Sequence, residues 1–115
     1  MMTTERRITR QTEQILETLM SDSRKAWSGS QIAPVAGLKS GTLYPALLRM
    51  QRSGWLTCRW EDIDPSEAGR PRRRLYALTG EGERVARQIA SEADARARRR
   101  QRRDAASPLP GGLPA

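Results

Sequence analysis

The side chains able to do chemistry in this chain fall into two groups. Lys39, Ser40, Thr42 and Tyr44 lie within six residues, with Arg49 and Arg52 shortly after, and Arg70, Arg72, Arg73 and Arg74 form a second group downstream. Hydroxyls and guanidinium groups at this density can donate to phosphate oxygens and to base edges. The other chemistries are poorly supplied. Cys58 is the only cysteine and histidine is absent, which removes disulfides, His-containing metal sites and the Ser-His or Cys-His couples of nucleophilic catalysis. An enzyme is therefore not expected, and no catalytic residue, metal or cofactor is assigned. Cys58 reads as a core thiol, because burial disfavours the thiolate a redox role needs.

The formal net charge of +8 suits a polyanionic partner. Arginine supplies all of the positive charge except Lys25 and Lys39, a bias that codon usage alone could produce, so the position of the charges decides. Aromatic residues make up only 4% of the chain, too few for a face that stacks unpaired RNA bases, which leaves double-stranded DNA as the expected partner. No apolar run is long enough to span a membrane. The polar stretch from Met1 to Arg10 lacks a leader's apolar core, so a cytoplasmic, nucleoid-associated protein is expected. At 115 residues the chain fits one domain burying roughly two-thirds of its unfolded surface, and a second subunit would add stability.

The elements that must position these groups follow from periodicity. Ile8, Ile15, Leu16, Leu19 and Met20 recur at helical spacing and predict a first helix over 9–21, broken at Asp22-Ser23. Trp27 falls in a short linker. Ser28-Gly29-Ser30-Gln31 fits a capping box opening a short helix that carries Ile32 and Val35. Gly37 suits the left-handed residue that ends it, with Leu38 tucked back, while Pro34 should kink or shorten it. Ala33 and Gly37 are spaced for a helix-turn-helix, in which a small residue allows close approach and glycine makes the turn. A third helix is expected over 40–53, with Pro45 near its start, Leu43, Leu47 and Met50 facing inward, and Lys39, Ser40, Thr42, Tyr44 and Arg49 facing out.

After Gly54, Leu56, Cys58 and Trp60 alternate with Thr57, Arg59 and Glu61, the pattern of a strand with one buried face. Asp62 to Gly69 reads as a polar turn, and a second strand over 72–78 places Tyr76 and Leu78 inward to complete a hairpin. Thr79 caps a long final helix in which Val85, Ile89, Ala93 and Ala97 recur every fourth residue. The run from Arg98 to Arg103 is either a solvated surface or a basic arm following a DNA backbone. The fold class is mainly α with a small antiparallel β hairpin (α+β). The organisation expected is a DNA-binding unit over 1–78, a dimerisation helix over 79–104 and a disordered tail over 105–115.

The words SGTLYPALLRM, SGWLTCRWE, GRPRRRLYALT and a closing helix, in this order, resemble the PadR family of bacterial winged helix-turn-helix transcriptional regulators, in its compact, short C-terminal branch. The resemblance spans about residues 15–82. It implies a homodimeric repressor on a palindromic operator, with the helix from Ser40 in the major groove and an arginine-rich wing on the flanking backbone or minor groove. Ser40, Thr42, Tyr44 and Pro45 match the family's reading-helix motif, and Arg70, Arg72 and Arg73 its wing. Tyr44 either contacts DNA or packs as core. Arg74 shares the inward face of Tyr76 and has a structural reading. The acidic stretch Glu61, Asp62, Asp64 and Glu67 confines the expected contact to the base of the wing. Ile15, Leu19, Val85, Ile89 and Ala93 are the expected dimerisation residues. A small-molecule inducer is possible in such a family, but the final helix has no aromatic residue with which to sandwich a flat ligand.

Overall fold

The computed structural model describes residues 8–106. The chain orders itself as α1 (Arg10–Met20), β1 (Trp27–Ser28), α2 (Gly29–Ala36), α3 (Ser40–Arg52), β2 (Leu56–Trp60), α4 (Pro65–Ala68), β3 (Arg74–Leu78) and α5 (Gly80–Ala106). Helix α1 starts where the Thr9 hydroxyl accepts from the Thr12 N–H, and it buries Ile15, Leu16 and Leu19 to 1% exposure or less. The capping box opens α2 as expected: Ser28 Oγ accepts from the Gln31 N–H at 3.2 Å, and Gln31 Oε1 accepts from the Ser28 N–H at 3.0 Å. Gly37 ends this helix at φ 73°, while the N–H groups of Gly37 and Leu38 both donate to the Ala33 carbonyl, at 2.9 and 3.0 Å. Pro34 does not stop the helix, which reaches Ala36. Both Pro34 and Ser30, whose carbonyl is left without its helical donor, are exposed, so the missing bond falls on the hydrated side. Val35 is also on that side, 61% exposed, with Ile32 and Ala36 facing the core instead.

The turn from α2 to α3 sets the start of α3. Lys39 caps α3 through its carbonyl, which accepts from the N–H groups of Thr42 and Leu43, and no side chain takes part. Leu43, Ala46, Leu47 and Met50 bury the inner face, and Pro45 is carried on the outer one.

Behind these helices the strands form a three-stranded antiparallel sheet in the order β1-β3-β2. The segment expected as a linker around Trp27 is a strand, pairing Trp27 with Tyr76 and Ser28 with Leu75. Two residues carry too little periodicity to announce a strand, and their partners lie far along the chain. The second hairpin strand begins at Arg74 rather than at 72, and the expected turn contains the short helix α4, capped by the Asp64 carboxylate on the Ser66 N–H at 2.9 Å. The alternation that should bury Trp60 runs out. Leu56 is buried, Cys58 is half-buried and Trp60 is 59% exposed, because the helices cover only the first part of the hairpin.

Thr79 joins the sheet to α5. Its hydroxyl donates to the Gly54 carbonyl at 2.6 Å and accepts from the Gly82 N–H at 3.0 Å, and a Cβ at Gly82 would collide with the Trp55 carbonyl oxygen. Val85 and Ala86 are buried, and Ile89 packs partly against the core. From 90 to 105 every residue except Ala95 is exposed, although Ala90 and Ala93 still border α1. The 27-residue helix, about 40 Å long, lies in a molecule whose longest dimension is 76 Å.

Candidate nucleic-acid interface

The outer face of α3 is polar and free. Lys39, Ser40, Thr42, Tyr44, Pro45 and Arg49 are all exposed. Among the described residues, the side chains of Lys39, Ser40, Thr42 and Arg49 make no hydrogen bond or ion pair. Short hydroxyls on the first turn of a helix, with a lysine at its positive end, are suited to phosphate and base edges. Tyr44 takes neither of its two expected roles completely. The ring is 45% exposed, yet one side packs on Gly29, where an added Cβ would come within 2.6 Å of Cζ. Glycine at that position lets the tyrosine lie flat against the start of α2.

The wing is organised by a residue whose place in the sequence suggests only a repulsive charge. Glu61 receives Arg70 through two parallel bonds, Nη1 to Oε1 at 2.8 Å and Nη2 to Oε2 at 2.9 Å, and its Oε1 also accepts from the Arg73 N–H at 3.2 Å. The bidentate Arg70 contact is the main cause that lowers the Glu61 pKa from 4.5 to about 2; partial burial opposes it and the Arg73 N–H adds to it. The same contact raises the pKa of Arg70. Arg70 therefore ties the two strands of the wing together, and its fork is not available to a phosphate. Nothing in the sequence marks Arg70 rather than Arg72 or Arg73 as the partner of Glu61.

Arg72 and Arg73 differ from Arg70. Arg72 is anchored only through Nε, which donates to the Ile63 carbonyl at 2.9 Å, and the side chain of Arg73, near enough to Glu61 to act on its charge, makes no hydrogen bond or ion pair among the described residues. Both are exposed. Arg74 is exposed as well, with its guanidinium 5.3 Å from the centre of the Trp60 ring across the hairpin. One concavity joins Ser28, Gly29, Ser30, Tyr44, Trp60, Arg72, Arg73 and Arg74, so α3 and the base of the wing border the same cleft.

The residues expected to meet a second subunit are divided. Ile15, Leu19 and Val85 are 0%, 1% and 7% exposed, and the protomer's own core uses them. A side chain with no accessible surface has nothing left to offer a partner. Ile89 and Ala93 keep outward surface in a groove between α1 and α5, lined also by Leu16, Met20, Ala86 and Ala90 and edged by Glu13, Glu17 and Arg87. Farther along α5, Arg96, Arg99, Arg100 and Arg103 share one face. The tail expected from 105 onward lies, beyond Ala106, outside the described residues. Among the described residues, no helix is long and apolar enough to cross a membrane and no cluster of acidic, cysteine or histidine side chains could hold a metal.

Comparison with known proteins agrees with this architecture. The model of the transcriptional regulator PadR-like family matches residues 30–88. No curated protein matches the chain. Among solved structures, a PadR family transcription regulator from Clostridium difficile is 24% identical, with a TM-score of 0.69 over 82% of this chain and 97% of that one. The Streptococcus mutans protein smu.1704 is 25% identical, with a TM-score of 0.60 over 76% of this chain and 81% of that one. Staphylococcus aureus MepR, in a complex with DNA, is 18% identical with a TM-score of 0.64 over 84% of this chain and 73% of that one. The shared fold is the winged helix-turn-helix.

Proposed function

The chain belongs to the PadR-like family of transcriptional regulators, and from that premise we propose that it binds double-stranded DNA as a homodimeric repressor, reading a palindromic operator with α3. The observation that carries this reading is the single cleft between α3 and the wing, where Tyr44 stands beside Arg72 and Arg73 and the exposed Thr42 lies on the same helix. Lys39, Ser40, Thr42 and Arg49 meet base edges and phosphates in the major groove; Tyr44 and Pro45 shape the helix's approach; Arg72 and Arg73 hold the flanking backbone. Arg70 acts one step back, holding the wing through Glu61. MepR, a protein of the same fold, has been solved in a complex with DNA, which supports DNA binding by this fold.

The second subunit seats on the groove around Ile89 and Ala93, where small side chains allow close helix approach and the exposed continuation of α5 finds a partner. Such a dimer sets its two reading helices about one helical turn apart on DNA. An inducer, if one acts, would change that spacing. The protein works in the cytoplasm, on the nucleoid.

Binding-site selection with the purified protein, combined with its mass in solution, tests the proposal. The expected result is a two-chain mass and an inverted repeat whose half-sites are about 10 base pairs apart, centre to centre, which lowers transcription of a reporter when placed in its promoter. Equal affinity for random duplexes would contradict it.

A further inference from the structure

The fold treats the three tryptophans of the chain unequally. Trp27 and Trp55 are 7% and 6% exposed, whereas Trp60 is 59% exposed. Trp60 stands on the same face of β2 as Leu56, yet it projects beyond the helices that cover that face. The cation–π contact with Arg74 covers only part of the ring, so a large apolar surface remains in water. On the side of the wing turn it borders Glu61, Asp62, Pro65 and Pro71, and on the side of α3 its neighbours are polar and cationic. Trp60 shares its cleft with Tyr44 of the reading helix and with Arg72 and Arg73.

An apolar ring with cations on the side that faces α3, beside a helix face of hydroxyls, matches a surface that alternates in the same way: the deoxyribose-phosphate backbone, with its hydrocarbon sugars between anionic phosphates. We infer that Trp60 is a DNA contact, its indole packing on the deoxyribose of the strand that passes from α3 to the wing while Arg72 and Arg73 hold the adjoining phosphates. This rests on the DNA-binding role proposed above. It adds a contact that fixes how the wing is set against the duplex relative to α3, and it explains why the hairpin ends in an uncovered aromatic residue rather than a polar one.

Because Trp60 is exposed while Trp27 and Trp55 are buried, the acrylamide-quenchable part of the intrinsic fluorescence reports on it in the unmodified protein. The probe is a duplex of about 30 base pairs, long enough for two half-sites one helical turn apart, used both as random sequence at low salt and as the sequence recovered by selection. Binding is followed separately by the anisotropy of a label on the DNA. The expected result is that acrylamide quenching of Trp60 falls at least about twofold on binding, and that Trp60→Ala weakens affinity roughly five- to tenfold while Trp60→Phe, which keeps a ring, weakens it about half as much or less. Binding with unchanged quenching, and with unchanged affinity of Trp60→Ala, would overturn this inference and leave the proposed function standing. A Trp60 already shielded before DNA is added would assign the ring to a contact between copies and overturn it too. Absence of any duplex binding would remove both.

Discussion

Around Leu43, Leu47 and Met50 the helix-turn-helix body is held by side chains at most 2% exposed, whereas no residue of the wing from 61 to 73 is buried. The body is a hydrophobic core; the wing is a polar clasp in which one carboxylate, Glu61, gathers Arg70 and the Arg73 backbone. The difference separates two properties that usually fail together. Stability resides where the apolar area is removed from water, and it should respond little to salt or to charge substitutions. The grip on DNA resides where a few charged bonds set a loop, and it should respond strongly to both.

The comparison breaks most readily at its buried end. Leu47→Ala should cost about 2–5 kcal/mol, because the site gives up both transfer energy and packing, and denaturant unfolding followed by circular dichroism measures it. Should Glu61→Gln destabilise the chain as much, body and wing would not be separable. Glu61→Gln is the next largest effect. It removes the anionic half of the clasp, and duplex affinity should fall roughly two- to fivefold with a drop in the unfolding midpoint that is measurable but much smaller than that of Leu47→Ala.

The same residue sets a pH signature. Its folded pKa of about 2 lies below the ordinary 4.5, so its stabilising contribution is complete above pH 4.5 and disappears as the pH falls through about 2. Unfolding curves of wild type and Glu61→Gln should therefore differ by a constant amount above that window and converge below it. A difference that grows on acidification would reverse the sign and reject the clasp. The smallest effect is expected from Gly29→Ala, whose new methyl group meets the Tyr44 ring. The tyrosine can swing outward, so stability should change by less than about 1 kcal/mol while the affinity of the reading face shifts. Equal DNA binding by this variant would show that the position of Tyr44 is unimportant.

The boundary between what was legible in the sequence and what was not follows the same division. Caps are local, so Ser28 with Gln31, the left-handed Gly37 and the Thr79 bond to Gly82 could all be read from neighbouring residues, as could the inward stripe of α3. Features that depend on distant partners could not. Trp27 becomes a strand only because Tyr76 lies beside it, and Trp60 keeps the period of a buried residue although no helix covers it. The polar outer face of α3 was visible as hydroxyls at a helix start. The division of labour among Arg70, Arg72 and Arg73 was not, since three arginines this close together look alike until Glu61 selects one of them. Ile15 and Leu19 misled for the related reason that an apolar helix stripe does not say whether it meets its own core or another subunit's.

The claim that α3 reads sequence while the base of the wing grips backbone is tested most directly by measuring duplex affinity against salt for Thr42→Ala and for Arg72→Ala with Arg73→Ala, each on the selected operator and on a random duplex. Thr42→Ala should narrow the gap between the two duplexes with the salt slope unchanged, and the arginine pair should weaken both duplexes alike and flatten the slope by about 0.9 for each phosphate no longer neutralised. An arginine pair that alters only the preference for the operator, or a Thr42 variant that discriminates as well as wild type, would contradict it.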